Sequence, residues 1–175
     1  ELEKKMLGRY FPIAIGIHAD AALTANQLYK ELKKQKIVLD VKKWTKSYLK
    51  ERSKFLFDRN KIQSKNFPIQ PKGLFRELRK VLPKNSAITL DAGTLCLQAT
   101  DSLNYYDPPS LFTPLDFGLV GFSFACGLGV KLAKPNKTVI SLMGDGGFGM
   151  TISELSTAVE YKINTITIVM NNKSW

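Results

Sequence analysis

The chain has 175 residues, a formal charge of +11 from 26 basic and 15 acidic residues, and a hydrophobic share of 44%. That share belongs to a globular protein and excludes a disordered one. No apolar run approaches the ~20 residues of a membrane-crossing helix, and Glu1-Leu2-Glu3-Lys4-Lys5 lacks the basic-then-apolar order of a secretory signal.

Three zones follow in chain order. In the first, residues 1–35, Ile13-Ala14-Ile15-Gly16-Ile17 reads as a short buried strand. Asp20 is the expected N-cap of an amphipathic helix carrying Ala21, Ala22, Leu23, Leu28 and Leu32. A lone strand and helix cannot bury both faces of either element, so this zone is expected to be the tail of a domain whose body lies upstream.

The second zone, residues 36–66, is a lysine-rich connection, and most of the charge excess falls between Lys30 and Lys65. Such an excess raises the question of nucleic acid. Trp44, Tyr48, Phe55 and Phe57 recur at helical and mixed spacings, more like a packing face than a stacking platform. A solvated lysine face on helical pieces is the reading preferred, with a basic nucleic-acid-binding module kept as the alternative of another class. Phe67-Pro68-Ile69-Gln70-Pro71 then breaks the chain and puts a domain boundary near Asn66.

The third zone, residues 67–175, alternates helix and strand. Leu74, Phe75, Leu78, Val81 and Leu82 sit at helical spacing between Pro71 and Pro83, and Ala87 to Asp91 is a compact strand running into Ala92-Gly93. The small-residue run from Gly118 to Ala133 suits a helix packed closely on a sheet. Lys137 to Met143 and Asn164 to Met170 read as buried strands. Thr151-Ile152-Ser153-Glu154 has the form of a capping box and predicts a helix over residues 151–161. Strands separated by helical crossovers imply an α/β fold with a parallel sheet. Cys96 and Cys126 show no metal spacing, which fits reduced thiols in a cytoplasmic protein.

The chemistry is expected at the ends of the last two strands. One finishes in Gly144-Asp145-Gly146-Gly147 and the other in Asn171-Asn172, with a single helical crossover between them. A right-handed βαβ unit carries both exits to the carboxyl edge of the sheet, where open α/β sheets bind ligands. A carboxylate and an amide oxygen are hard donors that suit Mg²⁺, an ion commonly held by one or two protein groups plus phosphate oxygens. Glycines let backbone N–H groups approach a phosphate, and a helix N-terminus near Thr151 is expected to favour the anion. Gly-Asp-Gly or Asn-Asn alone is more often turn chemistry; the pair flanking one strand–helix–strand unit predicts a metal-bridged diphosphate site.

Gly144-Asp145-Gly146 closed by Asn171-Asn172 resembles the signature of thiamine-diphosphate-dependent enzymes, and the whole stretch from residue 144 to 172 resembles the acetolactate synthase-like branch. Residues 117–122 with Ala125 and Gly127 to Val130 resemble that branch's glycine-rich cofactor segment, and residues 8–32 the end of its central domain. The resemblance implies the first part of a truncated thiamine-diphosphate-binding domain, preceded by a central-domain tail, within a longer enzyme. It implies that Asp145, Asn172 and the backbone carbonyl of Ser174 hold Mg²⁺. Gly93 and Thr94, with Gly144, Gly146 and Gly147, would border the diphosphate, and Val120 would lie under the aminopyrimidine and accept a hydrogen bond from its amine. It further implies a 2-oxo acid substrate, decarboxylation with two-carbon transfer, and a homo-dimer or homo-tetramer. The cofactor-activating glutamate would belong to an N-terminal domain, so no catalytic residue is assigned, and the fragment alone would be inactive. FAD stays open, because the body of the central domain is not in this sequence.

Two features depart from the synthases. Thr94-Leu95 follow Gly93 where a Gln-His pair is usual, and Lys173-Ser174-Trp175 is closer to sulfoacetaldehyde acetyltransferase-like members. That activity and a simple 2-oxo acid decarboxylase are the alternatives within the family. His18, Glu154 and Glu160 are read as structural or solvent-facing.

Overall fold

The computed structural model describes residues 2–38, 40–60 and 68–174. It divides into two compact units, Glu1–Lys54 and Phe55–Trp175. The expected boundary near Asn66 lies outside the described residues.

In the first unit, α1 (Ala21–Lys34) starts as its sequence dictates, with the Asp20 carboxylate accepting the Leu23 N–H at 2.9 Å. The expected strand at residues 13–17 does not form. Ile13, Ile15 and Ile17 are 49%, 80% and 42% exposed, and no strand is found among this unit's described residues. Apolar alternation favours a strand only where a neighbouring ladder accepts its N–H and C=O groups. His18 has its Nε2 against the Leu2 carbonyl at 2.8 Å, on the surface. The lysine-rich stretch forms the long helix α2 (Lys42–Asn60), on which Trp44 and Tyr48 stack with ring centroids 5.6 Å apart. The division between the units falls within this helix.

The second unit holds a four-stranded parallel sheet in the order β2-β1-β3-β4. Its strands are β1 (Ala87–Leu90), β2 (Leu111–Phe112), β3 (Val139–Gly144) and β4 (Ile166–Met170). Helices α3 (Pro71–Val81), α4 (Thr94–Ser102), α5 (Phe122–Ala133), α6 (Asp145–Thr151) and α7 (Glu154–Glu160) complete it. Pro71 opens α3 at a position where its missing N–H costs nothing. Arg79 closes the same helix by donating to the Leu82 and Pro83 carbonyls at 2.6 and 2.9 Å.

The period-2 alternation of the central strands decides which helix covers which face. Ile88, Leu90, Ile140 and Leu142 point to one side and pack with Phe75 of α3 and Cys96 and Ala99 of α4. The alternate positions face α5: Ala87 and Val139 meet Val130, and Met143 meets Phe124 and Leu128. Between them, buried Thr89 donates to the Ser123 carbonyl at 2.8 Å and lies 3.0 Å from the Ser141 hydroxyl. Helix α5 comes this close because of Gly127, where a Cβ would collide with the Ser141 hydroxyl. The fold is an α/β parallel-sheet domain covered on both faces.

One stretch differs from expectation and matters for the site. The helix expected over residues 151–161 forms as α7 (Glu154–Glu160), and a further short helix not expected from the sequence, α6, precedes it, starting at Asp145 directly after β3 and ending at Thr151. The capping box does not form: the Thr151 hydroxyl donates back to the Gly147 carbonyl at 3.5 Å, and the Glu154 carboxylate accepts from the Thr157 hydroxyl at 2.9 Å.

Candidate functional site

Strand β1 leads through α4 to β2 on one side, and the chain then returns through α5 to β3 on the other side of β1. The strand order therefore reverses between β1 and β3, and the crevice at such a reversal is where doubly wound sheets take their ligands. Asp91-Ala92-Gly93-Thr94 leave β1 there, and Gly144-Asp145 leave β3 beside them. Strand β4 pairs with β3 in a register that sets Ile140 against Ile166 and Gly144 against Met170. Asn171 and Asn172 consequently emerge at the same edge as Asp145.

A cleft of about 1030 Å³ occupies this edge. Gly93, Thr94, Val120, Gly144, Asp145, Gly146, Gly147, Asn172 and Ser174 all line it. The floor is backbone. Gly93 has a φ of +102°, and a Cβ at Gly93 or Gly144 would meet no protein atom within 4 Å, so both main-chain segments face open space. Asp145 is the first residue of α6 and is half-buried. The Asn172 Oδ1 accepts the Ser174 N–H at 3.0 Å, and Asn171 Oδ1 accepts the Lys173 N–H at 2.9 Å. These two side-chain turns, with Lys173 at a φ of +56°, fold the segment after β4 back over the cleft. Leu74, Leu95 and Gln98 supply side-chain walls.

A residue with no role assigned from the sequence organises this edge. Asp91 is 2% exposed, and its carboxylate accepts the Gly121 N–H at 3.0 Å and the Ser123 N–H at 3.2 Å. A Cβ on Gly147 would overlap the same carboxylate. An acidic residue directly after an apolar strand was the signal available in the sequence.

The helix start expected near Thr151 to favour the anion is that of α7 at Glu154, and neither Thr151 nor Glu154 lines the cleft; the helix that starts at the cleft is α6, at Asp145. Among the described residues no group of three or more His, Cys, Asp or Glu side chains is placed to hold a metal, so the donors on offer in the cleft are mixed oxygens. Both cysteines are free thiols: Cys96 is buried, and burial pushes the Cys126 thiol above its ordinary pKa. Among the described residues no helix is long and apolar enough to cross a membrane.

Fold and cleft together define an α/β cofactor-binding domain with its ligand edge at the strand termini. Residues 91–175 match the model of the thiamine pyrophosphate enzyme C-terminal TPP binding domain, and this stretch belongs to that domain family. Among its relatives, the sulfoacetaldehyde acetyltransferase of Castellaniella defragrans is 28% identical over the whole of this chain and 32% of its own length. The acetolactate synthase large subunit of Buchnera aphidicola subsp. Schizaphis graminum is 32% identical over 91% of this chain and 28% of its own. A solved structure, the Rhodococcus jostii RHA1 thiamine diphosphate-dependent 4-hydroxybenzoylformate decarboxylase, superposes with a TM-score of 0.55 at 29% identity, covering 59% of this chain and 20% of that one. The chain thus spans only about a third of the length of the curated relatives it matches, 32% and 28% in these two.

Proposed function

We propose that the whole protein is an acetolactate synthase-like enzyme. It decarboxylates a 2-oxo acid and transfers the remaining two-carbon unit, with thiamine diphosphate held in the cleft through Mg²⁺. The observation that carries this reading is the Gly144–Met170 register, which sends Asp145 and Asn172 into one cleft from adjacent strands. The donor set fits the ion. A carboxylate, an amide oxygen and the Ser174 carbonyl are hard oxygens, and diphosphate oxygens would complete the octahedron Mg²⁺ requires.

When bound, thiamine diphosphate supplies the nucleophilic carbon and the electron sink for cleaving the carboxyl group. The chain's own residues bind and orient it. Asp145 and Asn172 would hold the ion, and the turn from Asn172 to Ser174 leaves the second lone pair of the amide oxygen free for it. Gly93, Thr94, Gly146 and Gly147 would offer backbone at the diphosphate, and at Gly93 and Gly144 the space a Cβ would take is open. Val120, which lines the cleft, would offer its carbonyl to the amine of the aminopyrimidine. Leu74, Leu95 and Ile168 form apolar walls that restrict water around the ring. The protein is read as a cytoplasmic homo-oligomer.

The relatives that span the whole chain favour a second reading, in which the substrate is sulfoacetaldehyde. Calorimetric titration of the whole protein with thiamine diphosphate tests the shared part. Binding should appear with Mg²⁺, vanish in EDTA and be lost in Asp145→Ala; metal-independent binding overturns the reading. Carbon dioxide release from pyruvate, compared with turnover of sulfoacetaldehyde, then separates the two substrates.

A further inference from the structure

We infer that Asp91 is a positioning residue: its carboxylate fixes the Gly121 turn and so holds the Val120 backbone at the cleft. The inference rests on the thiamine diphosphate reading above and adds a residue that reading does not use.

The segment from Gly118 to Gly121 enters and leaves through left-handed glycines, with φ of +68° at Gly118 and +87° at Gly121. Its start is tied by the Gly118 N–H, which donates to the Pro114 carbonyl at 2.6 Å. Its end is tied by the Gly121 N–H, which donates to Asp91 Oδ2 at 3.0 Å. Val120 lies between these anchors and lines the cleft. The Asp91 carboxylate is in turn confined, because Gly147 approaches it so closely that a Cβ there would overlap Oδ2. One buried carboxylate therefore joins the end of β1, the turn bearing Val120, and the helix that begins with Asp145.

The consequence of removing it is selective. Ser123, the second donor to Asp91, is also held through its hydroxyl, which donates to the Thr89 carbonyl at 2.9 Å. Helix α5 keeps that anchor without Asp91, whereas Gly121 loses a charge-assisted bond at the end of the turn. The ring side of the cofactor should feel the loss more than the diphosphate side, where α6 is held by its own helical bonds. A purely stabilising carboxylate would show no such preference.

The test is calorimetry on the whole protein with saturating Mg²⁺, using thiamine diphosphate and inorganic diphosphate as separate probes. Asp91→Ala should weaken thiamine diphosphate about tenfold and leave inorganic diphosphate within about twofold. Asp91→Asn has the same shape and can still accept one N–H. It should lose about threefold for thiamine diphosphate alone, and it carries the test if the alanine variant does not fold. Equal loss of both probes, or unchanged affinity for thiamine diphosphate, overturns the inference. Asp145→Ala keeps the two readings apart. If it binds both probes as the unaltered protein does, the cofactor reading falls and this inference with it. If it loses both while the Asp91 variants lose neither, only the role of Asp91 falls.

Discussion

Gly144 of β3 and Met170 of β4 are register partners in adjacent parallel strands, so the chain leaves both strands at one level of the sheet. Asp145 follows the first without a connecting loop, and Asn172 stands two residues past the second. If the Asn172 side chain serves as an oxygen donor to Mg²⁺, a substitution that preserves a hard oxygen should preserve binding. Asn172→Asp is therefore expected to retain Mg²⁺-dependent affinity for thiamine diphosphate, and Asn172→Ala to lose on the order of 10–100-fold. Calorimetry across a Mg²⁺ series checks both, and equal affinity in the two variants counts against a donor role.

The close approach of α5 to the sheet gives a paired prediction on stability. At Gly127 an added Cβ would strike the buried Ser141 hydroxyl, which is already engaged with Thr89. Gly127→Ala should therefore destabilise by about 1–3 kcal/mol, the range for overpacking a filled interior. Two residues along the same helix, a Cβ at Gly129 would meet no atom within 4 Å. Gly129→Ala should be neutral or stabilise by up to about 1 kcal/mol through helix propensity. Urea unfolding of the two variants beside the unaltered protein measures the contrast.

The sequence carries some of these features openly and hides others for identifiable reasons. Ala87 to Leu90, Val139 to Met143 and Ile166 to Met170 lie within the apolar runs that mark them as strands, and the Asp20 and Pro71 helix starts follow from their own chemistry. Strand β2 has only Leu111 and Phe112, too few residues to display a period. Gly146, Gly147 and Gly149 give no helix signal, because glycine is a poor helix former, by about 1 kcal/mol each relative to alanine. All three lie in α6, and at Gly147 glycine is required because a Cβ there would overlap the Asp91 carboxylate. The helix expected over residues 151–161 is legible and forms as α7, whereas α6 before it lies on residues that local propensity disfavours. Ile13 to Ile17 fails for the opposite reason, an apolar pattern whose backbone finds no ladder among the described residues of its unit. Asp91 could be seen but not weighed, since its partners Gly121 and Ser123 lie far along the chain.

Phe75 fixes α3 to the sheet and thereby positions the wall of the cleft that contains Leu74. Its ring is fully buried among Ile88, Leu90, Ile140 and Leu142. Phe75→Ala should cost about 3–5 kcal/mol, and Phe75→Leu markedly less because most of the volume stays filled. Denaturant midpoints provide the measurement. Similar losses in both variants would indicate that the ring is not the contact holding α3.

Cys126 is a half-buried thiol on α5, bordering an apolar cleft lined by Phe112, Leu119 and Val130. Burial raises its pKa because the low-polarity surroundings disfavour the thiolate. The attacking species in alkylation is the thiolate, so iodoacetamide should modify Cys126 more slowly near pH 8 than it modifies a free cysteine. The sign for stability follows from the same shift. The folded state holds the proton more tightly than the unfolded one, so this contribution is complete below the ordinary thiol pKa and is lost as pH rises through the raised folded value. Cys126→Ser removes the titrating group and should flatten that part of the alkaline decline in stability. Rapid modification of Cys126 in the folded protein at neutral pH would contradict the burial argument.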